Sequence, residues 1–209
     1  MLLPIHPDSP EERKIDQVVS CLENGGIVVY PTDTLYGIGC DINNAAAIQK
    51  ILRFKDVNLR KTSLSFICKD LSHVAEYVRP ISARTFKLMK KNSPGPFTFI
   101  VEANSNVPKI FKTNKKTVGI RIPDNKIVSE IVGRLERPIL TTSVKSEGDN
   151  DTEVEYLTAP SLIEERLSYL ADIVIDGGIG SAEMSTIVDC TTEDWTIIRQ
   201  GKGELDDAI

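Results

Sequence analysis

A chain of 209 residues with 41% hydrophobic and 26% charged side chains can bury a core, and it has the composition of one globular domain, residues 1–209. Its net charge of −5 argues against a protein that coats nucleic acid with its whole surface, but allows a local basic patch. Four widely spaced cysteines and two histidines argue against a disulfide framework and a histidine-based metal site. No apolar run reaches membrane-spanning length and no secretory signal pattern is present, so we expect a cytoplasmic protein.

Apolar residues at helical spacing predict six helices. We expect Ser9 to cap the first helix, with Pro10 at its first position, and Asn24-Gly25-Gly26 to end it. The other helices are predicted over 45–54, 71–77, 82–91, 126–135 and 161–169.

Short runs of β-branched and aromatic residues predict strands between these helices. They cover 27–30, 64–68, 97–102, 117–122, 138–142, 173–175, 186–189 and 195–199. Strands and helices alternate irregularly, so we predict an α/β (α+β) fold. Its sheet is expected to be mixed, twisted and open, with flanking helices, rather than the parallel sheet of a Rossmann domain.

The chain is organised around one of these strands and the turn after it. The apolar strand Ile27–Tyr30 ends at a proline, and Thr32-Asp33-Thr34 then places three oxygen-bearing side chains in the turn. Gly37 and Gly39 follow, where the absence of a Cβ allows a turn or a close approach. Two interpretations remain open from these residues alone: the rim of a ligand site, or a polar turn between two strands.

Other predicted strands also end in a hydroxyl or an arginine. Arginine suits a carboxylate or phosphate and hydroxyls suit small polar ligands, although threonine is common in strands for reasons of packing alone. Neither glycine-rich nucleotide motif, G-x-G-x-x-G or G-x-x-x-x-G-K-[ST], is present. The strand-end residues are Thr32, Thr34, Thr98, Thr117, Arg121, Thr141, Thr142, Ser143, Ser185, Thr186 and Arg199.

Six segments in register resemble the motifs of the YrdC/YciO family, the threonylcarbamoyl-AMP synthases and their relatives. The resemblance extends from about residue 11 to residue 203. The segments are Pro31–Asp41, Pro94–Thr98, Gly119–Pro123, Thr141–Ser143, Ser185–Asp189 and Ile198–Gly203.

This resemblance implies a single domain in which the twisted sheet surrounds a large, concave, positively charged cavity. It also implies an activity. The synthases condense L-threonine, bicarbonate and ATP to threonylcarbamoyl-AMP and pyrophosphate, and the product is used to modify an adenosine in tRNA. ATP is then a substrate, and we expect magnesium to accompany it. Several members of the family are described as binding double-stranded RNA or tRNA.

The family's site residues can be transferred only where the motifs match. Threonine is then expected at Thr34, Thr32, Arg121, Thr141 and Ser185, with the arginine on its carboxylate. The nucleotide is expected at Lys55, Thr117, Ser143 and Arg199. Further candidates for phosphate contacts are Arg60, Lys61 and Lys145. No side chain is assigned as a catalytic nucleophile or as a metal ligand, because the reaction depends on positioning and charge stabilisation.

The chain departs from the synthase pattern in two segments: Val57 and Asn58 stand where the synthases have an arginine and a proline, and Lys145 stands where they have an asparagine. Both departures are typical of the YciO-like branch, in which we place this chain. Two functions therefore remain open: a synthase-like enzyme, or an RNA- or nucleotide-binding protein of the same fold with little or no activity. A third alternative is another carbamoyl adenylate, as in the hydrogenase-maturation carbamoyltransferases that contain a similar domain.

Overall fold

The computed structural model describes residues 1–54, 64–108, 116–144 and 157–208. These residues contain one sheet of ten strands, in the order β1-β8-β2-β3-β7-β4-β6-β5-β9-β10. The strands are β1 Leu2–Pro4, β2 Val28–Tyr30, β3 Gly37–Asp41, β4 Ser65–Ile67, β5 Phe97–Glu102, β6 Thr117–Arg121, β7 Ile139–Ser143, β8 Ile173–Asp176, β9 Thr186–Asp189 and β10 Thr196–Arg199. The pairs β1–β8, β2–β8, β4–β6 and β5–β9 are parallel and the others antiparallel, which confirms the predicted mixed sheet.

The six predicted helices are present, within a few residues of their predicted ends. They are α1 Glu12–Glu23, α2 Ala45–Phe54, α3 Leu71–Ala75, α4 Ala83–Lys91, α5 Lys126–Leu135 and α6 Pro160–Leu167. Asp70, Ser82 and Asn125 each accept a hydrogen bond from a backbone N–H in the first turn of the helix that follows.

The predicted start of the first helix is wrong. Glu11, not Ser9, is the N-cap of α1, and its side chain makes no capping bond. The imidazole Nδ1 of His6 accepts the backbone N–H groups of Asp8 and Ser9 at 3.2 Å each, so these residues form a turn around the ring instead. The competing local hydrogen bonds delay the helix by about half a turn.

Two strands, β1 and β3, have no counterpart in the sequence prediction. β1 has only three residues and pairs with β8, which is distant in sequence, so nothing local indicates it. β3 contains two glycines, which lowers its intrinsic strand preference. A Cβ on Gly39 would lie 2.4 Å from the carbonyl oxygen of Leu140, so this strand exists because its neighbour can approach closely.

Each face of the sheet has its own core. On one face, β2, β8 and the start of β7 pack against α1 and α5. On the other face, apolar residues of α2, α4 and α6 pack against β3, β5 and β6. Each fully buried aliphatic side chain in these cores contributes roughly 1.5–3 kcal/mol. On the first face, β7, β4 and β6 also carry the small or polar residues Thr141, Ser143, Ser65, Thr117, Gly119 and Arg121.

The turn after β2 crosses this polar face. β2 and β6 run in opposite directions with three strands between them. Along the strand direction, their carboxyl ends therefore point to opposite ends of the sheet. Asp33 nevertheless meets Arg121, with Oδ1 accepting from Nη2 at 3.0 Å. The right-handed twist that accumulates from strand to strand and the fold-back of the turn together make this contact. The turn therefore lies over the polar face of the sheet at the end of β6.

We expect Gly39→Ala to destabilise the protein by about 2–3 kcal/mol, because its new methyl group must displace the backbone of β7. Gly133→Ala is the matched control, because Gly133 lies within α5 and a Cβ there would be 3.8 Å from the side chain of Lys69, an ordinary contact. This control should gain about 0.5–1 kcal/mol from helix propensity. Urea denaturation measures both, and equal midpoints for Gly39→Ala and the wild type would contradict the packing argument.

Candidate functional site

The turn between β2 and β3 is built by the hydroxyl of Thr32. Its Oγ1 accepts the N–H of Thr34 at 3.0 Å and donates to the carbonyl oxygen of Leu35 at 2.7 Å. These bonds close a compact turn. Thr34 is 1% exposed, and its Oγ1 lies 3.2 Å from that of Thr32. The segment is thus a polar turn between two strands, and it holds the Thr34 hydroxyl against Arg121.

Arg121 ends β6 and lies beneath this turn. Its Nη2 donates to Asp33 Oδ1 at 3.0 Å and to Thr34 Oγ1 at 2.9 Å. The residue is 8% exposed, and its Nε is buried without a hydrogen-bond partner in the described part of the chain. Burial lowers the pKa of Arg121 from its ordinary value, while Asp33 acts in the opposite direction. A buried cation with an unused donor is suited to an anionic ligand group.

Thr141 lies two strands from Tyr30, whose phenol hydroxyl donates to Thr141 Oγ1 at 2.6 Å. The ring can cross β3 because Gly37 and Gly39 have no Cβ; one on Gly37 would lie 2.9 Å from the ring. Burial raises the pKa of Tyr30 above its ordinary value, so its hydroxyl remains a donor.

Ser65 belongs to the same row of small side chains, although sequence reasoning did not select it. It is paired with Thr141 on one side and with Gly119 on the other. A Cβ on Gly119 would lie 2.7 Å from Ser65 Oγ, so only a residue without a Cβ fits beside this hydroxyl. Only the pairing of three strands reveals the row, since the serine resembles any other in a short strand.

Thr117 and Ser143, both predicted at the nucleotide, lie on this face and are half-buried. Thr117 lies two residues before Gly119 in β6. Ser143 lies two residues after Thr141 in β7 and is paired with Gly37. Thr117 and Arg121 are at opposite ends of β6, roughly 13 Å apart at 3.3 Å per residue. The predicted amino-acid and nucleotide residues therefore occupy neighbouring parts of one surface.

Ser185 and Arg199 are in direct contact. The hydroxyl groups of Ser185 and Thr98 are 2.9 Å apart. Arg199 Nη2 donates to the carbonyl oxygen of Ser185 at 2.8 Å and lies 3.3 Å from its Oγ. The structure thus brings together one residue predicted for threonine and one predicted for the nucleotide.

The segment after β10 returns to the opening turn. The buried hydroxyl of Thr186 donates to the carbonyl oxygen of Gly203 at 2.6 Å and accepts the N–H of Gly201 at 3.0 Å. Lys202 Nζ donates to the main-chain oxygen of Asp33 at 2.7 Å. Asp33 belongs to the first of the six motif segments and Lys202 to the last, so this contact brings the two segments together.

Four predicted nucleotide or phosphate contacts fall outside the described residues: Lys55, Arg60, Lys61 and Lys145. Among the residues that are described, no helix is both long and apolar enough to cross a membrane.

These motifs match a known family. A family model named for Sua5, YciO and YrdC, described as "Telomere recombination", matches residues 20–201. The chain belongs to this family. The predicted YciO-like placement is also confirmed: Escherichia coli YciO is 34% identical over 202 residues, which are 96% of this chain and 95% of that protein. The E. coli YciO crystal structure covers 100% of this chain and 99% of its own, with a TM-score of 0.90 and 31% identity.

One other relative is named as a synthase, and another has been solved with a bound amino acid. A Vibrio vulnificus protein named threonylcarbamoyl-AMP synthase is 27% identical over 190 residues, 90% of this chain and 98% of that protein. P. abyssi Sua5, solved as a complex with L-threonine, has a TM-score of 0.85 and 24% identity, and the match covers 96% of this chain and 57% of that one. The single-sheet fold with flanking helices is thus shared with both YciO and Sua5.

We expect Tyr30→Phe to lower the free energy of unfolding by about 1–2 kcal/mol, because it removes the buried hydrogen bond to Thr141 without leaving a cavity. Tyr169→Phe is the control: Tyr169 is 75% exposed, and we expect a change within about 0.5 kcal/mol. Chemical denaturation compares the two variants, and a Tyr30→Phe protein as stable as the control would mean that the bond adds nothing.

Proposed function

We propose that the protein is a threonylcarbamoyl-AMP synthase-like enzyme. It would condense L-threonine, bicarbonate and ATP to threonylcarbamoyl-AMP and pyrophosphate, as a nucleotidyltransferase whose product serves tRNA modification. The observation that carries this proposal is Arg121, a buried guanidinium with an unused Nε that donates from Nη2 to the hydroxyl of Thr34. Family membership, the named synthase of V. vulnificus and the threonine complex of P. abyssi Sua5 support it.

In this proposal, the amino acid lies at the end of β6. Arg121 pairs with the threonine carboxylate, and the hydroxyls of Thr34, Thr141 and Ser185 surround the rest of the molecule. Thr32 acts through the turn, because it holds Thr34 in place. A buried arginine suits this role, since the ion pair forms where water does not compete.

The nucleotide lies further along the same face, at Thr117, Ser143 and Arg199, with Lys55 on its phosphates and Arg60, Lys61 and Lys145 as further cations. The amine of threonine takes up bicarbonate with loss of water to form a carbamate. An oxygen of that carbamate then attacks the α-phosphorus of ATP, and pyrophosphate leaves. The residues bind and orient the reactants and stabilise charge, so the reaction needs no protein nucleophile.

The described residues contain no cluster of carboxylate, cysteine or histidine side chains that could hold a metal ion. The carboxylates on or above this face are instead separated, each beside a different partner: Asp33 with Arg121, Asp41 with Arg137, Glu102 with Arg79, and Asp189 with Thr191. Magnesium commonly binds through substrate phosphates with few protein ligands. We therefore treat it as part of the substrate MgATP and assign it no protein ligand.

A second function is favoured by two residues in the sequence. Val57 and Lys145 replace the arginine and asparagine of the synthases, two residues that the resemblance assigns to the nucleotide. A protein altered there could hold tRNA, double-stranded RNA or a nucleotide without efficient chemistry. Such binding to RNA would weaken with salt, with a log–log slope of about −0.7 to −0.9 for each phosphate neutralised.

Pyrophosphate release tests the two functions. The purified protein is supplied with MgATP, with and without L-threonine and bicarbonate. The synthase proposal expects release only when both are present, together with threonylcarbamoyl-AMP detected by mass spectrometry. Nucleotide binding without release under any of these conditions would overturn it in favour of the binding protein.

We expect Arg121→Ala to weaken L-threonine binding by about 2–5 kcal/mol, because the ligand carboxylate loses a buried charged partner. Arg121→Lys should recover only part of this loss, since an ammonium cannot replace the guanidinium fork. The control is Arg134→Ala, which removes an arginine that pairs with Asp16 away from the site. Isothermal titration calorimetry measures the affinities, and unchanged affinity in Arg121→Ala would remove this residue from the site.

A further inference from the structure

The residue that faces Arg121 is an acid, and its position is fixed from three directions. Asp33 Oδ1 accepts from Arg121 Nη2 at 3.0 Å, and Oδ2 accepts the N–H of Asp124 at 3.1 Å. The main-chain oxygen of Asp33 accepts from Lys202 Nζ at 2.7 Å. The turn, the end of β6 and the closing segment thus converge on one residue, and two of these hydrogen bonds hold its carboxylate beside Arg121.

Both charged groups retain capacity for a ligand. A carboxylate has about four acceptor positions, and Asp33 uses one on each oxygen in the described contacts. Arg121 Nη2 has two hydrogens, shared between Asp33 and Thr34, while Nε remains buried and unpartnered. The side chain of Asp33 is 11% exposed and that of Arg121 is 9% exposed. A ligand therefore meets a positive and a negative group side by side, both with unused hydrogen-bonding positions.

An arginine–aspartate pair of this kind can distinguish carboxylic acids that carry an ammonium group from those that do not. A buried arginine alone would attract any anion of suitable size. With Asp33 beside it the pair is neutral overall, so a simple carboxylate gains from the guanidinium but is repelled by the acid. An α-amino acid carries its ammonium next to its carboxylate, and can place each opposite the group of unlike charge.

We propose that Asp33 is the specificity-determining residue of this subsite: it receives the α-ammonium of an amino acid whose carboxylate pairs with Arg121. The hydroxyl groups around them then select among amino acids, whereas Asp33 rejects carboxylic acids that lack the amine. The assignment rests on the proposed function for the place of the amino acid, but it concerns binding alone and requires no ATP.

The test compares two ligands that differ by the amine. L-Threonine and 3-hydroxybutyrate are titrated by calorimetry, without nucleotide, into the wild type, Asp33→Asn and the control Asp16→Asn. Asp16 also pairs with an arginine, Arg134, but outside the site. We expect the wild type to prefer threonine by at least about 10-fold. Asp33→Asn should bind threonine about 10-fold more weakly and 3-hydroxybutyrate more tightly, because the subsite becomes net positive, whereas Asp16→Asn should match the wild type.

A second variant distinguishes binding of the ammonium group from a purely structural effect of Asp33. Asp33→Glu retains the charge, so it should still prefer threonine, even if both affinities fall. Equal losses for both ligands in Asp33→Asn would show that the acid only holds Arg121 in place, and would overturn the proposal. No change in either affinity, or no preference in the wild type, would overturn it as well. A wild type that prefers threonine but releases no pyrophosphate would refute the synthase function and leave this inference standing.

Discussion

Burying the guanidinium of Arg121 is the constraint on which the site depends. Taking a charge out of water costs several kcal/mol unless a partner of opposite charge and further hydrogen bonds compensate. Asp33 and Thr34 provide these bonds, and they come from a turn that is distant from β6 in the sheet. A well-packed apolar pair would stabilise the fold at least as well. We therefore interpret the pair as one that positions a buried cation at the end of β6.

Small residues occupy the face of the sheet beside that cation. Across neighbouring strands, Gly39, Thr141, Ser65 and Gly119 form one register row on the same face of the sheet. The glycines in this row leave no room for a Cβ, because neighbouring side chains and backbone already occupy that space. The absence of a Cβ on the β3 glycines lets Tyr30 reach Thr141. The same close packing thus makes β3 a strand and ties β2 to β7.

The sequence predicted the helices and those strands that local patterns of residues determine. Helical periodicity located all six helices of the described residues. α1 begins two residues later than predicted, because His6 accepts hydrogen bonds from the backbone that precedes it. β1 and β3 were missed, since their existence depends on partners that are distant in sequence or unusually close in space. Motif resemblance selected Arg121, Thr141 and Ser185, but it could not reveal that Asp33 faces the arginine. That contact depends on the twist and curl of the whole sheet, which no local pattern specifies.

In the proposed function the site has an amino-acid half and a nucleotide half, and this division explains how a chain can keep one half of a synthase pattern while departing from the other. The residues proposed for the amino acid are buried and hold one another, so a change to Asp33, Thr34 or Arg121 disturbs several contacts at once. Cations that meet a triphosphate act mainly through charge, and one can replace another from a nearby position with less structural cost. The synthase residues that Val57 and Lys145 replace are those expected at the nucleotide. In this proposal the two changes would alter nucleotide binding, whereas the amino acid would be selected at the buried contact between the turn and β6.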